Sequence, residues 1–130
     1  MHTSSTTDSQ PLPRLGIDIS KATVDVCLIL LDLSIQRHRF SNDDKGFAQL
    51  QTWLVRQKAP CVLAGMEATG CYALALLKFL HQQKHQVCLL NARHVKDFAR
   101  SQGHKVKTDK ADAHIIAVFL RYNEHLKRWQ

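Results

Sequence analysis

Four carboxylates are the residues of this chain best placed to do chemistry together. Asp18 stands in Leu15-Gly16-Ile17-Asp18-Ile19-Ser20 and Glu67 in Gly65-Met66-Glu67-Ala68-Thr69-Gly70. Asp109 and Asp112 stand in Lys107-Thr108-Asp109-Lys110-Ala111-Asp112-Ala113. A spacing of i, i+3 on a helix puts the last two on one face. Carboxylates gathered at one point repel, and their pKa values rise unless cations neutralise them. Hard divalent ions such as Mg²⁺, with Mn²⁺ as a substitute, take oxygen ligands and leave positions for phosphate and water. Two such ions about 3.5–4 Å apart stabilise both the attacking and the leaving oxygen of a phosphodiester transfer. No histidine ligand and no organic cofactor is required. Each acid also has a plainer reading. Asp18 would face solvent from a half-exposed strand, and Glu67 would be an exposed strand-end acid. Asp109 would be a helix N-cap with Asp112 as the N3 acid of a capping box.

The elements that must carry these acids follow from hydrophobic period. Strict alternation in Leu15–Ser20 puts Leu15, Ile17 and Ile19 on one face and Gly16, Asp18 and Ser20 on the other, which predicts a strand. Thr23–Leu31 and Ile35–Phe40 read as two more, joined by turns at Lys21–Ala22 and Asp32–Ser34, so the three form an antiparallel meander. The period then changes. Ser41-Asn42-Asp43-Asp44 offers helix caps, and Phe47, Leu50, Trp53 and Leu54 recur at helical spacing. Cys61–Met66 is a short buried strand with Glu67 directly after it, and Tyr72–Leu80 a Leu-rich helix. Gln86–Leu90 is a strand, residues from about Ala92 to Ser101 a helix, and a Gly103-centred basic loop leads to a last helix from about Asp109. The order β-β-β-α-β-α-β-α-α predicts an α/β fold, a ribonuclease H-like mixed sheet flanked by helices, with the first strand interior. Met1–Pro13, rich in Ser, Thr, Gln and Pro, reads as a disordered tail before one domain spanning 14–130.

The chain has 130 residues, with eighteen Lys+Arg against eleven Asp+Glu, a formal charge of +7. Such an excess points to a polyanionic partner, nucleic acid before membrane. Arg93, Lys96, Arg100, Lys105, Lys107 and Lys110 lead directly into the acidic pair, where a phosphate-tracking surface is more economical than a merely solvated face. Cys27, Cys61, Cys71 and Cys88 lack metal or disulfide spacing and sit beside apolar residues, as buried free thiols in a reducing, cytoplasmic protein would. The longest apolar run, Val26–Leu31, is too short to span a bilayer. His81 and His85, spaced i, i+4 near Cys88, lack a fourth ligand for zinc and are expected to face solvent.

The motifs Gly16-Ile17-Asp18-Ile19-Ser20-Lys21, Glu67-Ala68-Thr69-Gly70-Cys71-Tyr72, Asn91-Ala92-Arg93 and Lys107 through Ala113 closely resemble the N-terminal, RuvC-like domain of IS110-family transposases. The resemblance runs from about Leu15 to Leu120. It implies a DEDD set at Asp18, Glu67, Asp109 and Asp112, DNA as substrate, a structured guide RNA and a homo-oligomer in the full-length context. It also implies a coiled coil and a C-terminal domain with a catalytic serine, which the 130 residues do not contain. Loss of coiled-coil contacts would expose Val118, Phe119 and Tyr122 on the last helix. Two other readings compete. An actin-like or sugar-kinase ATPase shares the fold core, but Ser20-Lys21-Ala22-Thr23 lacks the glycines of a phosphate-cradling turn. A truncated relic that only binds nucleic acid or itself would not need the acidic cluster.

Overall fold

A computed structural model describes residues 11–68, 70–104 and 111–130. Five strands form one sheet: β1 (Arg14–Ile19), β2 (Thr23–Ile29), β3 (Ile35–Ser41), β4 (Leu63–Glu67) and β5 (Gln86–Leu90). Their spatial order is β3-β2-β1-β4-β5. β1, the centre, pairs antiparallel with β2 and parallel with β4. The meander, the mixed sheet and the interior first strand are all as the sequence predicts.

Local chemistry sets the turns. The Ser20 N–H donates to the Thr23 carbonyl at 2.9 Å, closing the first hairpin. In the second, the Asp32 carboxylate accepts from the Ser34 N–H and hydroxyl, bonds that hold its carboxyl below the usual range. Leu33 takes a positive φ of 73° there.

Four helices cover the sheet: α1 (Asp44–Arg56), α2 (Leu74–Gln82), α3 (Ala92–Ser101) and α4 (Ala113–Tyr122). A single 3₁₀ turn, Gly70–Ala73, precedes α2, so the helix expected from Tyr72 starts as a tighter turn. Asp43 caps α1 by accepting from the Gly46 N–H at 2.8 Å. α1, α2 and α3 each end with a left-handed residue, Lys58, Lys84 and Gly103, after which an N–H reaches back five residues. Only Gly103 announces such a stop in the sequence. On one face of the sheet Leu15, Ile17 and Ile19 pack with Phe47, Leu50, Leu54, Leu76 and Leu80 from α1 and α2. On the other, α3 and α4 bring Val95, Ile116, Phe119 and Leu120 against Leu63, Cys88 and Leu90.

Several expectations are corrected. The last helix starts at Ala113 rather than near Asp109, because Asp112 is extended (φ −77°, ψ 170°) and serves as its N-cap. The helix stops at Tyr122, and the chain returns along β5, with the Trp129 N–H donating to Val87 O at 2.7 Å. The reading of residues 1–13 as a disordered tail fails at its end, where Leu12 packs on the core and Pro13 O accepts from the Leu63 N–H. Residues 1–10 lie outside the described residues. Phe119 is buried with its ring 5.4 Å from that of Phe98, and Val118 is half-buried, so of the three only Tyr122 is exposed. Cys27 and Cys88 are buried but Cys61 and Cys71 are exposed, since the latter two lie outside the strands. His85 does not face solvent. It is buried, its Nδ1 accepting from the Val62 N–H and its Nε2 meeting Gln51 Oε1 at 2.7 Å, so both ring nitrogens are engaged.

Candidate functional site

Register and alternation decide which carboxylates meet. In the parallel pair β1–β4, Gly16 lies beside Gly65 and Ile17 beside Met66, so the next step sets Asp18 beside Glu67. Side chains in register on neighbouring strands share a face. That face is the one under α4, because a Cβ added at Gly16 would lie 2.0 Å from the Ala113 carbonyl oxygen and one at Gly65 2.8 Å from Leu120 Cδ2. Asp18 and Glu67, two residues on from those glycines, point the same way. Both stand at the carboxyl end of a parallel pair, where open α/β sheets bind ligands.

α4 delivers the third acid. Glu67, which is the last residue of β4 and buried, accepts at Oε1 from the Ala111 N–H at 3.1 Å. The next residue, Asp112, caps α4 through Oδ1, which accepts from the Ile115 N–H at 2.8 Å. Capping and ligation are therefore compatible roles for Asp112, since the cap employs one carboxylate oxygen. Asp18 and Asp112 line one open cleft of about 370 Å³ together with Asp25, Cys27, Arg37 and His114. The fourth acid, Asp109, lies outside the described residues, as do Lys105, Lys107 and Lys110 of the basic set. Among the described residues no three His, Cys, Asp or Glu side chains are close enough to hold an ion.

Asp25 is a further carboxylate beside the site. Asp25 lies directly across from Asp18 in the β1–β2 register, a like-charge pairing that destabilises a sheet. Arg39, its neighbour on β3, offsets this with two bonds, Nε to Oδ1 at 2.6 Å and Nη2 to Oδ2 at 3.2 Å. The bond to Asp25, then its charge, raises the Arg39 pKa further. Burial pushes the Cys27 thiol up, so it stays protonated. Asn42 ties the loops at this end together, its Nδ2 donating to Ser20 O at 2.9 Å and Tyr72 O at 3.2 Å.

The remaining basic residues form a separate stripe. Arg93, Lys96 and Arg100 recur at i, i+3, i+7 on α3, with Arg93 and Arg100 exposed and Lys96 half-buried. Sequence reasoning missed Gly16, Gly65, Arg37 and Asn42. Arg37 was within reach, because the short turn at Asp32–Ser34 fixes the β2–β3 register.

Comparison with known proteins gives these positions a context. A family model described as transposase, that of the DEDD type of IS110 elements, matches residues 15–130. Pilin gene-inverting proteins of Moraxella lacunata and Moraxella bovis are each 33% identical over 120 residues, which is 89% of this chain. The chain spans 36% of their length. Among solved structures, Thermus thermophilus RuvC matches with a TM-score of 0.60 at 13% identity over 91% of this chain and 100% of that one. The same protein in complex with a Holliday junction substrate matches at 0.58, also at 13% identity, over 91% of this chain and 99% of that one. These two establish a RuvC-like, ribonuclease H-like fold. With the family model running the length of the folded region, the chain belongs to the IS110 family of DEDD transposases.

Proposed function

We propose that this chain is the metal-dependent phosphodiester-transfer domain of a DNA transposase. The observation that carries the reading is the meeting of Asp18, Glu67 and the α4 N-terminus on one face of the sheet, at its carboxyl end. Family membership and relatives named for inverting a pilin gene support DNA rearrangement as the overall outcome. Asp18, Glu67, Asp109 and Asp112 would hold Mg²⁺, or Mn²⁺ in its place, because the donors are hard oxygens. When bound, such ions polarise a phosphodiester and stabilise the charge that develops on its oxygens.

The chain's own residues do the rest. The Ala111 N–H fixes one Glu67 oxygen, and the Ile115 N–H fixes one Asp112 oxygen, so both carboxylates are oriented before substrate arrives. Arg39 neutralises Asp25 and keeps a further negative charge from the approaching phosphates. The attacking hydroxyl is assigned to a serine outside residues 1–130, and guide RNA and oligomer contacts belong to the longer protein. Alone, the chain nicks DNA feebly with water as nucleophile and does not complete recombination.

The test is Mn²⁺ titration by calorimetry on the chain and its Asp18→Asn variant, with supercoiled plasmid as substrate in parallel. Mn²⁺ affinity falls at least about tenfold in the variant, as expected when a ligand is lost, and chelation or the substitution removes nicking. Equal Mn²⁺ binding by both proteins would overturn the metal site.

A further inference from the structure

We propose that Arg37 seats a DNA phosphate at the mouth of the acidic cleft, an inference that rests on the phosphodiester reading above. β3 is the outer strand of the sheet, and its residues Ile35–Arg39 are exposed. In the β2–β3 register Arg39 stands beside Asp25 and Arg37 beside Cys27. In the β1–β2 register those two residues stand beside Asp18 and Gly16. Arg37 and Arg39 therefore lie on the same face as the carboxylates, two strands away.

The two arginines differ in what they hold. The Arg39 guanidinium is committed to Asp25 through two bonds. Arg37 makes no ion pair among the described residues, yet it lines the cleft of about 370 Å³ that Asp18, Asp112 and His114 also line. Its charge converges with that of Asp112 on one point. The Cys27 thiol, raised chiefly by burial, is lowered by Arg37 and raised by Asp112.

A cleft lined by carboxylates repels the phosphates of DNA, so it needs a cation to receive them. A guanidinium grips a phosphate through two parallel N–H donors, and an exposed one gives up little hydration in doing so. DNA entering from the β3 side meets Arg37 before it meets Asp18. This seat is separate from the Arg93, Lys96, Arg100 stripe, which belongs to α3.

Binding of a short fluorescein-labelled DNA duplex to the full chain, followed by anisotropy across a salt series in EDTA, tests the seat. Arg37→Ala weakens binding about tenfold and lowers the salt slope by about one, the signature of one lost phosphate contact. Arg37→Lys restores the slope but only part of the affinity. Lys84→Gln, at the opposite end of the sheet, changes neither. Because Arg37 is exposed, its variants keep the wild-type melting temperature. The seat is overturned if Arg37→Ala matches wild type, or if Lys84→Gln costs as much. The Mn²⁺ titration with Asp18→Asn distinguishes the two readings. Lost Mn²⁺ binding with no Arg37 effect removes the seat and leaves the metal site standing, and the converse pair removes the metal site alone.

Discussion

The two faces of the sheet are held by different means. Under α1 and α2 the contacts are between large side chains, with Leu15, Ile17, Leu50, Leu54, Leu76 and Leu80 almost wholly out of water. Each contributes about 1.5–3 kcal/mol by burial. Under the first turns of α4 the residues are small, while further along Ile116, Phe119 and Leu120 pack bulk against Leu63 and Leu90. Gly16, Cys27, Ala113 and Ala117 let the helix backbone come down onto the strands there, and Gly65 makes room for the Leu120 side chain. Cohesion comes from bulk alone on one face and from closeness as well as bulk on the other. The closely docked face is the one that carries Asp18 and Glu67, and that docking brings the capping acid of α4 to the cleft that Asp18 lines. Both sides of the sheet contribute stability, and one of them also sets the placement of the acids.

The largest effect should come from removing closeness. Gly16→Ala puts a Cβ 2.0 Å from a backbone oxygen that has no rotamer to escape by. A loss of about 3 kcal/mol or more is expected, and Mn²⁺ binding should fail with it. Leu54→Ala on the other face should cost about 2–5 kcal/mol yet leave Mn²⁺ affinity of the folded chain unchanged. Urea denaturation combined with calorimetry makes the comparison. A stable Gly16→Ala chain that still binds Mn²⁺ would erase the distinction between the faces.

A smaller effect sharpens the first face. Burial holds His85 at a pKa of about 4, below its ordinary 6.5. Between those values the unfolded chain takes up a proton that the folded chain refuses. The stability is therefore full above about pH 6.5 and declines as pH falls toward about 4. From about pH 7 to about pH 5 the loss is about 2 kcal/mol. His85→Gln should flatten this slope in urea midpoints measured across the range, and an unchanged slope would assign the dependence elsewhere.

The smallest effect separates the two roles of Asp112. Asp112→Ala removes the α4 cap and should cost about 1 kcal/mol. Asp112→Asn keeps a capping oxygen and should cost only a few tenths. Both should weaken Mn²⁺ binding, so a variant that caps but does not bind isolates the charge. If Asp112→Asn binds Mn²⁺ as wild type does, Asp112 is a cap and nothing more.

The strand order was legible because β1 alternates strictly and the turns at Lys21–Ala22 and Asp32–Ser34 are too short for anything but hairpins. Asp18 and Glu67 were legible for the same reason, since a period of two and a strand end define where a carboxylate points. The start of α4 was not. Asp109 and Asp112 both satisfy capping rules, and only the docking of Ala113 on Gly16 selects Asp112. Nor was His85 legible, because its burial depends on Gln51 and Val62, residues distant in sequence. The left-handed stops at Lys58 and Lys84 were hidden because lysine carries no local signal for a positive φ.

The segment returning along β5 has a consequence for synthesis. Arg128 reaches Gln86 across 42 residues of chain, and the Trp129 N–H bonds to Val87 on the outer side of that strand. During translation β5 therefore exists with a bare edge until residues 126–130 leave the ribosome, an interval in which a second nascent chain could pair with it. The opposite edge, β3, needs no such waiting cover. Arg37 leaves the ribosome together with the strand it guards, and its charge, in no ion pair among the described residues, repels another copy from the start.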